Sequence, residues 1–220
     1  MAEPLEGIEN IRAIAWDFDG VLNRAGVAGA DGLFRWQHRM AAEFGIETAD
    51  LAQRVFGHDP RALMTGTEDI LDRLEAWVRE TGFEGDAEDL LEMWFVAEHE
   101  PDDDLKRLID QVDRVGVTQV MATNNDPRRL RFIATEGGWA DTVDAIFASG
   151  EMGVMKPDVD FYARIEAALG LEAAEILLID DQARNTDAAE RRGWLAWQYQ
   201  PGGAMALAQA LMPLLLRGQP

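Results

Sequence analysis

Ile11-Arg12-Ala13-Ile14-Ala15-Trp16-Asp17-Phe18-Asp19-Gly20-Val21-Leu22-Asn23 is a run of apolar, strand-forming residues that stops at two acids and a glycine. A short apolar run without helical spacing reads as a buried strand of a parallel sheet. Open α/β sheets bind ligands at the carboxyl ends of their strands, so chemistry is expected at Asp17 and Asp19. Side chains two apart on an extended backbone point the same way. Two carboxylates aimed into one crevice repel unless a cation or a shared proton lies between them, and this pair calls for a metal.

The same pattern returns downstream. Leu105, Leu108, Ile109, Val112 and Val115 share a helical face, and Val117 to Ala122 reads as a strand ending at Thr123-Asn124-Asn125. Pro127 opens a helix through Ile133, and Ala145 to Ala148 is a short strand. A loop from Ser149 then carries Lys156 to Asp158, which is placed as the N-cap of a helix bearing Phe161, Ile165 and Leu169. Ile176 to Ile179 is another buried strand that ends in acid, at Asp180-Asp181. A helix to Arg192, a strand from Trp194 to Tyr199 and a terminal helix over Ala204 to Leu216 follow. Strands separated by helices predict an α/β fold with a Rossmann-like, doubly wound, mostly parallel sheet.

Between the first and second strands the period changes to helical for about seventy residues, too long for a loop. Leu33 to Phe44 and Leu51 to Phe56 are helix candidates, the second with Thr48 as its cap. Thr65 and Glu68 have capping-box spacing ahead of Ile70, Leu71, Leu74, Trp77 and Val78, and Asp86 is placed to cap a helix with Leu90, Leu91, Trp94 and Phe95. The expected organisation is a core of residues 1–23 and 104–220 with an α-helical cap inserted at 24–103. That insert holds 19 acidic and 7 basic residues, a charge of -12 within a chain total of -21.

A chain with 20 Lys+Arg against 41 Asp+Glu is a poor partner for nucleic acid or an anionic membrane. The absence of cysteine excludes disulfides, thiolate catalysis and zinc-thiolate sites. His38, His58 and His99 show no ligand spacing. The acidic start, Met1 to Glu6, lacks a signal pattern and predicts a cytoplasmic protein. Ala204 to Leu216 is shorter than the ~20 residues a bilayer requires.

A phosphoryl group at the predicted strand edge would meet Asp17 as a carboxylate nucleophile and Asp19 as the acid that protonates the leaving oxygen. Carboxylate ligands without Cys or clustered His favour Mg2+, with Asp180 and Asp181 completing its cradle. Lys156 balances phosphate charge, and the Thr123 hydroxyl donates to its oxygens.

Asp17-Phe18-Asp19-Gly20-Val21, Thr123-Asn124, Lys156-Pro157-Asp158, and Asp180-Asp181 with Asn185 together resemble the four motifs of the haloacid dehalogenase (HAD) superfamily. The resemblance covers the whole predicted core. It implies a magnesium-dependent phosphatase with a helical cap after the first motif. Asp17 is then the nucleophile and a metal ligand, and Asp19 the acid/base, its backbone carbonyl also ligating the metal. Asp181 is a ligand, with Asp180 either a ligand or one water removed, and Asn185 lies behind them. Phosphate binding falls to Thr123, Asn124 and Lys156. True haloacid dehalogenases resemble this chain at the nucleophile but lack the acid two residues later, so Asp19 argues for phosphorus chemistry. Val21 stands where Thr is common, and Thr123 is followed by two Asn residues.

The expected substrate is a small phosphate ester, such as a sugar or organic-acid phosphate, and the protein a monomer or homodimer. A phosphomutase of β-phosphoglucomutase type, a 2-haloacid dehalogenase and a non-catalytic metabolite-binding protein are the rival readings. Outside the motifs, Trp16 is expected to face a helix, and Arg128, Arg129 and Arg131 to form a solvated face. Arg184 is expected in a salt bridge. The tryptophans are expected mostly in core or cap packing, and Arg35, Trp36, His38 and the Met64-Thr65-Gly66 turn are read first as structural parts of the cap, with contact to a leaving group the lesser alternative.

Overall fold

The apolar run beginning at Ile11 forms β1 (Ala13–Trp16), the middle strand of the sheet. Its partners are β2 (Thr118–Thr123) and β4 (Ile176–Asp180), flanked by β3 (Ala145–Ala148) and β5 (Leu195–Gln198). Among the residues that the computed structural model describes, 5–217, these five strands make one all-parallel sheet in the order β3-β2-β1-β4-β5. Met1 to Pro4, part of the stretch behind the cytoplasmic expectation, lie outside the described residues.

Register sets the site. Trp16 lies opposite Met121 and Ile179, so the next residue of each strand emerges at the same edge. The Asp17 amide still donates to the Ile179 carbonyl at 2.8 Å, which carries the pairing one residue beyond β1. The two sheet faces follow the period of two. Ile14 and Trp16 pack with Leu105, Ile109 and Leu207 on one face, while Ala15 packs with Phe161 and Ile165 on the other. Trp16 is therefore a core residue, and its indole donates to Gln119 at 2.8 Å.

Five helices form the insert that follows β1: α1 (Arg35–Phe44), α2 (Thr48–Phe56), α3 (Pro60–Met64), α4 (Ile70–Thr81) and α5 (Ala87–Ala97). They bury their own apolar cluster, with Trp36, Met40, Leu51, Leu74, Leu90 and Trp94 in it. The chain leaves the core and returns to it on two connectors that hydrogen-bond to each other, Arg24 N–H to Glu100 O and Asp102 N–H to Leu22 O, both at 2.8 Å. Then come α6 (Asp103–Asp113), α7 (Pro127–Ala134), α8 (Ser149–Met152), α9 (Val159–Leu169) and α10 (Ala183–Arg192). The chain closes on α11 (Ala204–Ala210) and α12 (Met212–Leu215). No described helix is long and apolar enough to cross a membrane.

Several local expectations are corrected. Thr65 and Glu68 do not form a capping box. Asp59 and Pro60 start the unforeseen α3, Thr65 ends it with its hydroxyl donating back to Arg61 O at 2.8 Å, and Asp69 caps α4 by accepting from Leu71 N–H. Thr48 lies inside α2, after Glu47. The loop after β3 contains the turn of helix α8. Asp158 precedes α9 as expected, but its carboxylate pairs with Arg61 of the insert rather than capping the helix. The terminal helix breaks at Leu211, where Pro213 supplies the start of α12.

Candidate active site

Asp17 stands one residue past β1 with its Oδ1 fixed on two sides. The Phe18 amide donates to it at 2.7 Å and Lys156 Nζ lies 2.9 Å away. The same ammonium donates to Asp180 Oδ2 at 2.6 Å, and Lys156 is only 1% exposed. Asp180, at the end of β4, is fully buried and accepts from Gln182 N–H at 2.8 Å and from Asn185 Nδ2 at 3.0 Å. Asn185, on the first turn of α10, thus stands behind Asp180. Asp181 sits half-buried at the rim and accepts from Gln182 Nε2.

One carboxylate oxygen from each of Asp17, Asp180 and Asp181 lies within 4.8 Å of the others. Burial, and then the Asp180 charge, push the Asp17 carboxyl well above its ordinary range against the pull of Lys156. Burial also raises Asp181. For Lys156 burial opposes the charge, but Asp17 and Asp180 outweigh it, and its pKa is raised. One ammonium cannot balance three carboxylates. The surplus of hard oxygen donors in a buried crevice fits a divalent cation of the magnesium kind.

Asp19 is outside that group of three. Its Oδ1 accepts from Asn23 Nδ2 at 2.8 Å and Arg129 Nη2 at 3.0 Å, and its Oδ2 from Asn125 Nδ2 at 3.2 Å. Backbone shape makes room for it. Gly26 has φ +80°, and a Cβ there would lie 2.2 Å from Asp19 Oδ1. Asp17, Asp19, Thr123, Asn124, Lys156, Asp181 and Asn185 line one crevice of about 300 Å³, with Asp180 buried beneath it. Thr123 Oγ1 accepts from Asn125 Nδ2 at 2.8 Å, which leaves the hydroxyl's own proton free to donate. The Asn124 side chain is engaged otherwise, its amide exchanging two 2.9 Å bonds with the main chain of Lys156.

Sequence reasoning missed Arg129. Instead of a solvated face, it is buried, held between Asp19 and the carbonyl of Glu98. The signal was present, since Arg129 shares the spacing of the buried Phe132 and Ile133 on α7. Arg128 is also paired, with Asp69 on the insert at 2.5 and 2.7 Å, while Arg131 is exposed. Arg184 has no ion pair among the described residues and stands exposed at the crevice mouth. In the insert, Arg35 pairs with Glu100 and His38 with Asp31.

Beside the crevice, and sharing Asp19, Gly26 and Asn124 with it, a second cavity of about 410 Å³ runs beneath the insert. Trp36, Phe56, Met64, Ile70, Trp94 and Phe95 supply its walls. Trp36 and Trp94 stack at 3.9 Å between ring centroids, with Phe56 edge-on to Trp94 at 5.3 Å.

The haloacid dehalogenase-like hydrolase family matches residues 11–193, and the chain belongs to that family. A sesquiterpene phosphatase, AstK of Aspergillus oryzae, is 35% identical over 96 residues, 42% of this chain and 47% of its own. An (S)-2-haloacid dehalogenase of Xanthobacter autotrophicus is 27% identical over 94 residues, 43% of this chain and 37% of its own. The matched stretches thus span less than half the length of these curated relatives. Among solved structures, a HAD-like hydrolase of Porphyromonas gingivalis superposes with TM-score 0.74 at 23% identity, covering 95% of this chain and 99% of its own. A HAD family enzyme of Bacteroides thetaiotaomicron, in complex with magnesium and inorganic phosphate, gives TM-score 0.68 at 15% identity over 87% and 96%.

Proposed function

We propose that this hydrolase is a magnesium-dependent phosphatase that cleaves a small phosphomonoester through a phosphorylated Asp17. The observation that carries the reading is the placement of Asp17 and Asp19 on one crevice with Lys156 and Thr123. A second acid near the nucleophile serves phosphate ester cleavage, because an alkoxide is a poor leaving group without a proton.

Lys156 and the Phe18 amide both hold Asp17 Oδ1, which leaves Oδ2 to attack phosphorus. The new bond joins Oδ2 to phosphorus as the bond to the ester oxygen breaks, and that oxygen departs as an alcohol with the proton of Asp19. Water then attacks the phosphoryl group, Asp19 takes its proton, and Asp17 is freed together with phosphate. Lys156 and the Thr123 hydroxyl face the non-bridging oxygens throughout. Asp17, Asp180 and Asp181 would hold Mg2+, which when bound neutralises their mutual repulsion and the charge of the incoming phosphate. Closure of the insert over the crevice would exclude water, with its two connectors as the hinge.

The phosphatase relative and the neighbour bound to magnesium and phosphate support this reading. The dehalogenase relative favours a second, carbon-halogen cleavage, which release of halide from a 2-haloacid would reveal. A mutase would return an isomerised ester and no free phosphate. The deciding experiment is phosphate release from a panel of monoesters with Mg2+. Chelator, and separately Asp17→Asn, should each reduce it at least ~100-fold. A mutant as active as the parent would remove Asp17 from the nucleophile's role.

A further inference from the structure

The aromatic cavity beneath the insert is not needed to transfer a phosphoryl group, yet it opens onto the atom that must meet the leaving oxygen. Asp19 lines both spaces, so an alcohol protonated there has its carbon skeleton directed away from Lys156 and Asp181 into the second one. We infer, on the basis of the phosphatase reading, that the leaving group is a hydrocarbon-rich alcohol, a branched alkyl or isoprenoid chain, and not a sugar or hydroxy acid.

Two features support this. The walls are aromatic and aliphatic, with Trp36 and Trp94 stacked on each other. Most of the polar side chains that reach the cavity are held in part by the protein itself, while Gln37 Nε2, Asp126 Oδ2 and Arg129 Nη1 make no hydrogen bond among the described residues. Both Glu98 carboxylate oxygens accept main-chain amides, from Trp36 at 2.9 Å and Gly26 at 2.6 Å. Asp126 accepts from the amides of Arg128 and Arg129, and Gln37 Oε1 from that of Phe34. Arg129 donates through Nη2 to Asp19 and to the Glu98 carbonyl. A sugar can stack on an aromatic face, but its hydroxyls still need partners, and burying them unpaired is costly. Hydrocarbon gains from the same walls. At ~30 Å³ per water-sized group, the cavity accepts roughly a dozen heavy atoms.

The test compares kcat/KM for geranyl monophosphate, glucose 6-phosphate and the small donor acetyl phosphate, all with Mg2+, and titrates geraniol alone against tryptophan fluorescence. The expected result is a preference of ~100-fold or more for the geranyl ester over the sugar ester, the scale set by burying a few methylene groups. Saturable geraniol binding should accompany it. Met64→Gln, which places an amide on the cavity wall, should lower the geranyl-to-glucose ratio ~10-fold, a readout that general loss of folded enzyme does not move. Phosphate release with glucose 6-phosphate equal or preferred would overturn the inference and leave the phosphatase standing. Release from none of the three esters would overturn the phosphatase reading. Geraniol binding then decides the cavity alone: saturable binding upholds an apolar occupant, and its absence rejects one.

Discussion

Lys156 and Arg129 show how differently two buried cations can be read from a sequence. Lys156 precedes a proline and a helix start, belongs to a recognisable order of motifs, and lies between Asp17 and Asp180 as that order suggests. Arg129 reaches partners 110 and 31 residues away, and its charge misled because a buried arginine requires a compensating acid that only the fold brings near. The Asn124 side chain is taken up by the Lys156 main chain, which leaves its backbone amide as the group for the phosphate role expected of it. With Arg129 on Asp19 Oδ1, we expect Arg129→Met to lower kcat ~10–100-fold, a fraction of what a general acid contributes, by letting Asp19 swing off the leaving oxygen. Magnesium affinity, measured by titration, should stay within about twofold of the parent, because Asp19's carboxylate lies outside the three-acid group. An equal loss of magnesium affinity would show that the substitution had disturbed the whole site.

Among the elements, strand ends were readable because a parallel strand buried on both faces is a continuous apolar run with abrupt limits. Helix starts were less so, since Thr65, Asp69 and Asp59 all offered side-chain oxygens and only packing chose between them. Contacts between insert and core were not readable. Arg61 pairs with Asp158, Arg128 with Asp69, and Ser149 Oγ donates to Met64 O. The connector residue His99 lies between Phe18 and Phe132, and burial, then Arg129, lower its pKa from the ordinary 6.5. The unfolded chain therefore binds this proton at a higher pH than the folded one. The His99 contribution is complete above pH 6.5 and is lost as the pH falls through the lowered folded value. His99→Phe should flatten that part of the stability profile in urea melts taken at several pH values. An unaltered slope would assign the acid sensitivity elsewhere.

Over the whole molecule, the alternation of strands and helices and the helical interruption after β1 sufficed to read the layout, because parallel connection rules leave few topologies. The aromatic cavity was beyond reach. Its walls come from α1, α2, α3, α4 and α5, and no spacing along one helix announces that Trp36, Phe56, Met64, Ile70 and Trp94 converge. The net charge of -21 likewise says little about the site, where Lys156 and a cation would set the local field. The proposed function requires that separated strand ends present one nucleophile, one acid and one ammonium to a phosphoryl group. Borohydride reduction of acid-quenched enzyme, followed by peptide mapping, tests this most directly, because it converts an aspartyl phosphate to homoserine. With Mg2+ and an ester that is being turned over, we predict homoserine at position 17 and nowhere else. Turnover with position 17 unmodified, or with the label at position 19, would contradict the account.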